Sequence, residues 1–242
     1  MIFCTCCQNS AEGKKADFRK IPLPTEDTTY TLHLTSEQKA AILARPRNKQ
    51  LQQELSIFYN QQLLRTGFNG GILVAKKGVV LFEAYHGIED LISRQPITDS
   101  STFQLASVSK TFTAMGILWL MEQGKLTLDD NVQQYIPGFP YKGITLRLLL
   151  NHRSGLPNYL YFCGTMVKDN GQFLSNQDVI DLMIRNKPAV HRPPDRGFEY
   201  NNTNFMLLGT IIEKVSGMKY ADFLQQTFFT PIGMHSTFVY DP

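Results

Sequence analysis

The chain lacks several things that would settle its class at once. Its 242 residues contain no block of five or six like charges, and the net charge is only +3. That argues against a nucleic-acid partner or an acidic membrane surface. No apolar run reaches the roughly 18 residues a membrane-spanning helix needs. Cysteine is scarce, with four residues in all, and three of them (Cys4, Cys6, Cys7) sit together at the N-terminus, far from Cys163. This spacing offers no second ligand pair for structural zinc and no disulfide framework. Motifs are missing too. There is no Gly-x-Ser-x-Gly elbow, no His-Glu-x-x-His, and no phosphate-loop lysine behind Gly70-Gly71. His33, His86, His191 and His235 lack metal-ligand spacing, so neither a metal nor a cofactor is expected.

What remains is an ordinary globular composition, 43% hydrophobic and 19% charged, with room for one or two domains. Ser-x-x-Lys occurs at Ser36–Lys39, Ser107–Lys110 and Ser216–Lys219, where roughly one match is expected by chance. Context separates them. Ser36 follows Thr35 at the start of a polar helix, a helix-capping position. Ser216 precedes Gly217, the usual glycine stop. Ser107 opens an apolar run from Thr111 to Met121, with Lys110 in the first helical turn. A cation there faces the positive end of the helix dipole, and the apolar sequence adds desolvation; both push an amine toward its neutral form. A serine beside such a lysine becomes nucleophilic without histidine.

Residues 1–34, with Pro22 and Pro24, read as a flexible leader. Met1-Ile2-Phe3-Cys4 has two readings, a disordered end or the remnant of an export signal before a lipid-accepting cysteine. Helices are predicted over 37–44 and 48–65, the second ending at Gly67. Residues 71–76 and 79–86 flank Lys77-Gly78 and read as a β-hairpin. Further helices are predicted at about 108–123, 145–151, 176–186, 203–216 and 219–229. A hairpin alone is not a stable sheet and needs more strands or a helical cover. The division is therefore a partial α/β part over 35–100 and a mostly helical part over 101–242.

Two more segments carry chemistry. In Phe198-Glu199-Tyr200-Asn201-Asn202, a phenol can relay a proton and an amide can bind lysine or a carbonyl. The structural alternative is that Asn202 caps the next helix and Tyr200 packs under it. In Leu149-Leu150-Asn151-His152-Arg153-Ser154-Gly155-Leu156-Pro157 an apolar helix ends in a turn. His152 is expected to bond the last helical carbonyls there, without direct chemistry. Trp119 is expected in the core, and Asp129-Asp130 in a turn or at a helix start.

Phe103 to Lys110, then Leu149 to Pro157, then Tyr200-Asn201-Asn202 occur in this order. Together they resemble the serine β-lactamase family of the class C type, with its D-alanyl-D-alanine carboxypeptidase and esterase relatives. Leu126 to Asp130 and Pro231 to Met234 are similar as well. The resemblance covers about residues 50–242. It implies an α/β (α+β) fold, an antiparallel sheet with flanking helices joined to a mostly helical domain, with the active site between them. It implies Ser107 as nucleophile, Lys110 as its base or base partner, Tyr200 as proton shuttle, and Asn202 as a contact to lysine and substrate. The Ser107 N–H would form half of an oxyanion hole. Its substrates would be small molecules or peptides: β-lactams, D-Ala-D-Ala peptides or small esters. The location would be the cell envelope or periplasm, with the cytoplasm as the alternative. Oligomeric state is left open.

One departure stands out. The family's third motif, Lys or His, then one residue, then Gly on a late strand, has no counterpart after Tyr200; Lys76-Lys77-Gly78 lies in the first hairpin. The expectation is a C-terminally truncated member lacking the later sheet strands. Two functional readings follow: a serine hydrolase working through a Ser107 acyl-enzyme, or a non-catalytic member acting as a binding module or inactive fragment.

Overall fold

The computed structural model describes residues 34–166 and 174–240. The leader and Cys4, Cys6 and Cys7 lie outside the described residues. The chain divides into two compact units between Asp99 and Ser100.

In the first unit, Thr35 caps α1 (Ser36–Leu43) with a reciprocal capping box to Gln38, so the first Ser-x-x-Lys is a helix start. Pro46 does not merely break a helix. It occupies the first turn of α2 (Pro46–Phe58), where its missing N–H costs nothing. The helix runs on through a π turn (Tyr59–Leu63) and a 3-10 turn (Leu64–Thr66), and Gly67 ends it at φ 76°. The hairpin follows as β1 (Gly70–Lys76) and β2 (Val79–His86), antiparallel, with a bulge at Val74/Ala75. Lys77 and Gly78 both adopt positive φ, the backbone that matches strand twist in a two-residue loop. Its cover is helical. Tyr59 of the π turn packs on Phe82 at 5.6 Å between ring centroids, and Gln52 of α2 donates to the Leu81 carbonyl at 3.0 Å. Val79 and Leu81 are buried.

The second unit is built around α7 (Asn202–Ser216). Against it pack α3 (Lys110–Glu122), α4 (Leu146–Leu150), α5 (Tyr159–Met166), α6 (Asn176–Asn186) and α8 (Tyr220–Leu224). Helix α5 was not expected from the sequence. Leu207, Leu208, Ile211 and Ile212 of α7 have no exposed surface, nor do Ile117 of α3 and Leu146 and Leu149 of α4. Gly116 permits the close α3–α7 approach: a Cβ there would lie 2.8 Å from Ile212 Cδ1. Trp119 is only partly buried and meets Phe223 edge-on at 5.8 Å. Gly217 closes α7 at φ 72°, its N–H bonding Glu213 O, which accounts for the third Ser-x-x-Lys as a helix end. Asp130 sits in a turn, accepting from Thr127 and from the Tyr135 hydroxyl at 2.6 Å.

Among the described residues the sheet has two strands, and no helix is long and apolar enough to cross a membrane. Cys163 is buried and unpaired, and burial pushes its thiol up.

Candidate active site

Every predicted site residue lies in the second unit. A 3-10 turn over Ala106–Ser109 precedes α3, so Ser107 sits just outside the helix and Lys110 is its first residue. Ala106 adopts φ 45°, an uncommon conformation for a residue with a Cβ and one that sites retain where the surroundings enforce it. No sequence signal marked this strain. The turn is closed by the Ser109 hydroxyl, which donates to Ala106 O at 2.6 Å.

Tyr200 arrives from the other side of the chain. Its hydroxyl donates to Ser107 Oγ at 2.7 Å, and Lys110 Nζ donates to the same oxygen at 3.2 Å. The ammonium also lies 5.1 Å from the Tyr200 ring centroid and 5.8 Å from that of Phe205, a cation–π arrangement. Hydrogen bonding from Lys110, then from Ser107, holds the Tyr200 phenol below its ordinary pKa of 10, against a smaller opposing effect of burial. The desolvated lysine expected from the apolar sequence is only partly realised: Lys110 is half-buried, Ser107 is exposed, and Tyr200 is 47% exposed.

Three backbone hydrogen bonds bring Tyr200 to this place. His191 N–H bonds Gly155 O at 2.9 Å, Asp195 N–H bonds Arg153 O at 2.9 Å, and Glu199 N–H bonds His152 O at 2.8 Å. The segment before Tyr200 is thus zipped to the turn after α4. Arg153 reinforces it with a 2.6 Å bond to Asp195. Gly155 is required there: at φ 70°, a Cβ would fall 2.1 Å from Arg192 O. Glu199 holds the strap from within, paired with Arg192 at 3.0 Å and His191 at 3.2 Å.

A buried polar network then ties this turn to the start of α7. The cap of α7 is Asn201, not Asn202: its side chain accepts from Thr203 N at 2.9 Å and donates to Leu156 O at 2.5 Å. Ser154 donates to Asn204 at 2.6 Å, and Thr203 donates to Pro157 O at 2.8 Å. These groups are nearly or wholly buried, and satisfied in this way they favour one geometry over others. Sequence reasoning had assigned no role to Ser154, Thr203 or Asn204; an -Asn-Thr-Asn- run at a helix start was the available signal. Asn202, in the first position of α7, is half-buried and makes no hydrogen bond to Lys110.

His152 departs from its expected role. It does not turn toward the carbonyls of α4. It adopts φ 53°, and its buried ring lies among Tyr200, Phe205 and Phe198 at 4.6, 5.1 and 5.8 Å. Its Nδ1 accepts from Asn201 N–H at 3.1 Å and lies 3.3 Å from the Asn204 amide nitrogen. With Nδ1 an acceptor, the neutral ring carries its proton on Nε2. Burial, then the Lys110 charge, push its pKa below 6.5. It makes no hydrogen bond to Ser107, so no Ser-His pair is formed among the described residues.

An apolar cavity of about 820 Å³ lies beside the 3-10 turn, lined by Phe103, Leu105, Ala106, Ser109, Phe112 and Phe238 among others. Ser107, Lys110 and Tyr200 do not line it. Among the described residues no three His, Cys, Asp or Glu side chains gather where a metal ion could be held.

Comparison with known proteins places the chain in a family. Residues 60–242 match the family described as Beta-lactamase. Penicillin-binding protein 4* of Bacillus subtilis is 43% identical over 175 residues, covering 72% of this chain and 38% of that protein. The penicillin-binding protein of Bacillus halodurans superposes with a TM-score of 0.63 at 29% identity, over 76% of this chain and 55% of the other. D-amino acid amidase of Ochrobactrum anthropi gives 0.61 at 30% identity, over 71% and 47%. The chain thus spans well under half the length of the curated relative it matches. With a match across most of its residues, this chain belongs to the Beta-lactamase family, and it shares the mixed α/β fold of that family's penicillin-binding proteins and D-amino acid amidase.

Proposed function

We propose that the protein is a serine hydrolase that cleaves an amide or ester bond through an acyl-enzyme on Ser107. The observation that carries this reading is the convergence of a phenol and an ammonium on one serine oxygen, 2.7 and 3.2 Å away. In the reactive state the ionised Tyr200, stabilised by Lys110, accepts the Ser107 proton as Oγ attacks the substrate carbonyl. The tetrahedral oxyanion is met by the Ser107 N–H. Collapse breaks the bond to the leaving amine or alcohol, and Tyr200 returns the proton to it. Water then attacks the acyl ester by the same route, releasing the acid and Ser107. Lys110 acts here as an electrostatic partner of the phenolate, and Asn202 is assigned to the substrate's carbonyl side.

Among substrates, compounds with a D-configured amide are favoured. The relatives' names point there, to penicillin binding and to D-amino acid amides. A D-Ala-D-Ala peptide substrate would place the protein's work in the cell envelope. The test is mass spectrometry of the whole chain after incubation with a penicillin and, separately, a fluorophosphonate. An adduct confined to the peptide carrying Ser107, and lost in S107A, is expected. Absence of any adduct with both probes would overturn the reading.

A further inference from the structure

We infer that His152 is a positioning residue for Tyr200, its ring holding the phenol in line with Ser107 Oγ. This rests on the proton-relay reading of Tyr200, and the test below separates the two. Tyr200 is half-exposed, so little on its open side keeps the phenol from swinging into solvent. Among the described residues the only aromatic ring packed on it is that of His152, 4.6 Å away and tilted 34°. The His152 ring is itself immobilised. Asn201 N–H, one residue beyond Tyr200, donates to its Nδ1, and Phe205 and Phe198 flank it. The His152 carbonyl accepts from Glu199 N–H, one residue before Tyr200. One residue, through its side chain and its backbone, thus contacts Tyr200 and both of its sequence neighbours. The left-handed backbone at φ 53° is what aims the ring. Such a conformation is uncommon outside glycine, although histidine is among the residues that adopt it more readily, and it persists where surrounding contacts enforce it.

Leucine or phenylalanine could fill the same hole but could not accept from the Asn201 N–H. Asparagine could accept, and it tolerates positive φ, but it would leave the phenol unstacked. H152N therefore isolates the ring.

The experiment measures the rate of Ser107 modification by a fluorophosphonate in the whole chain, normalised to the folded fraction from near-ultraviolet circular dichroism. The maximal rate in H152N is expected to fall about 10- to 100-fold, the scale on which small misplacements act, with the half-saturating probe concentration unchanged. In a Y200F background H152N should cause no further loss, because a group that works through the phenol has nothing left to position. A second readout does not depend on reactivity. With tyrosine labelled at Cζ, nuclear magnetic resonance follows the Tyr200 phenol, which faces Lys110, His152 and Ser107 and titrates below the ordinary tyrosine value. In H152N it should move up toward that value as its contacts with Lys110 and Ser107 loosen. H152Q serves as the same test should H152N not fold. Unchanged rate together with unchanged titration would overturn the inference, as would an equal further loss in the Y200F background. Should Y200F itself react at the wild-type rate, the proton-relay reading fails, while the titration still decides whether His152 holds the phenol.

Discussion

At the scale of single residues, the site is a question of who touches one oxygen. Ser107 Oγ has two partners, and they differ in chemistry: Tyr200 offers a phenolic O–H and Lys110 an amine. The lowered phenol pKa follows from hydrogen bonding by Lys110 and then by Ser107. Y200F keeps the ring against His152 and removes only the hydroxyl. Acylation of Ser107 is expected to fall about 10²- to 10⁴-fold, the usual contribution of a placed acid–base group, with little change in thermal stability. Stopped-flow or quenched labelling with a chromogenic cephalosporin or fluorophosphonate checks it. Ser107, Lys110 and Tyr200 could be singled out in the sequence because their types suit acyl-transfer chemistry, and the fold brings the three side chains together. His152 was misjudged because a histidine after a helix has a common structural role, and its positive φ has no sequence signature.

At the scale of elements, the candidate site depends on where helices start. Ser107 precedes α3, and Tyr200 precedes α7 by two residues. The two helices pack directly, so their N-termini bring serine and phenol together. Two variants probe this. N201A removes the cap of α7 and leaves the Leu156 carbonyl and the Thr203 N–H short of a buried partner. A loss of about 1–3 kcal/mol in a urea titration is expected, with labelling of Ser107 reduced beyond what unfolding explains. G116V drives side-chain atoms into Ile212 and Phe223, whose nearest atoms lie 2.8 and 3.1 Å from where even a Cβ would sit. About 1–3 kcal/mol of destabilisation is expected from overpacking, measured the same way. Helix α5 went unpredicted because its run Tyr159–Met166 is apolar at most positions and shows no amphipathic period, although Asn158 ahead of it is a capping residue whose side chain accepts from Leu160 N–H at 3.3 Å. Its position is set by α7: Tyr159 N–H bonds the Thr203 hydroxyl at 2.8 Å.

At the scale of the whole molecule, acid should weaken the fold in two windows. His152 is buried with its pKa below 6.5 in the native state. Above 6.5 it is neutral in both states and adds no pH dependence. As pH falls below 6.5 the unfolded chain takes up a proton that the native chain refuses, so stability declines until the native value is reached. H152N should flatten this part of the curve. A second decline belongs to carboxylates. Burial pushes Asp130 up but is outweighed by hydrogen bonds from Thr127 and Tyr135, and bonds from Ser175 lower Asp178. Their contribution is present above about pH 4 and is lost as pH drops through their native values. Urea midpoints measured from pH 4 to 8, for wild type and H152N, check the upper window; a wild-type curve that is flat between pH 5 and 7 would contradict the assignment.

Read along the chain, apolar periodicity located α2 to α4 and α6 to α8, because burial of one helix face demands it, whereas the polar α1, which buries no residue, was marked by its capping residues. Glycines and capping residues marked their ends, because left-handed backbone and orphan N–H groups require particular side chains. The order of three short motifs was enough to identify the family. Chain packing alone decided the rest. It put a phenol 93 residues away within 2.7 Å of the serine oxygen. It made Asn201 rather than Asn202 the cap, turned His152 inward, and left Ser107 exposed. Those outcomes depend on which buried polar groups find partners across the fold, and such pairings between distant residues leave no periodic trace in a sequence.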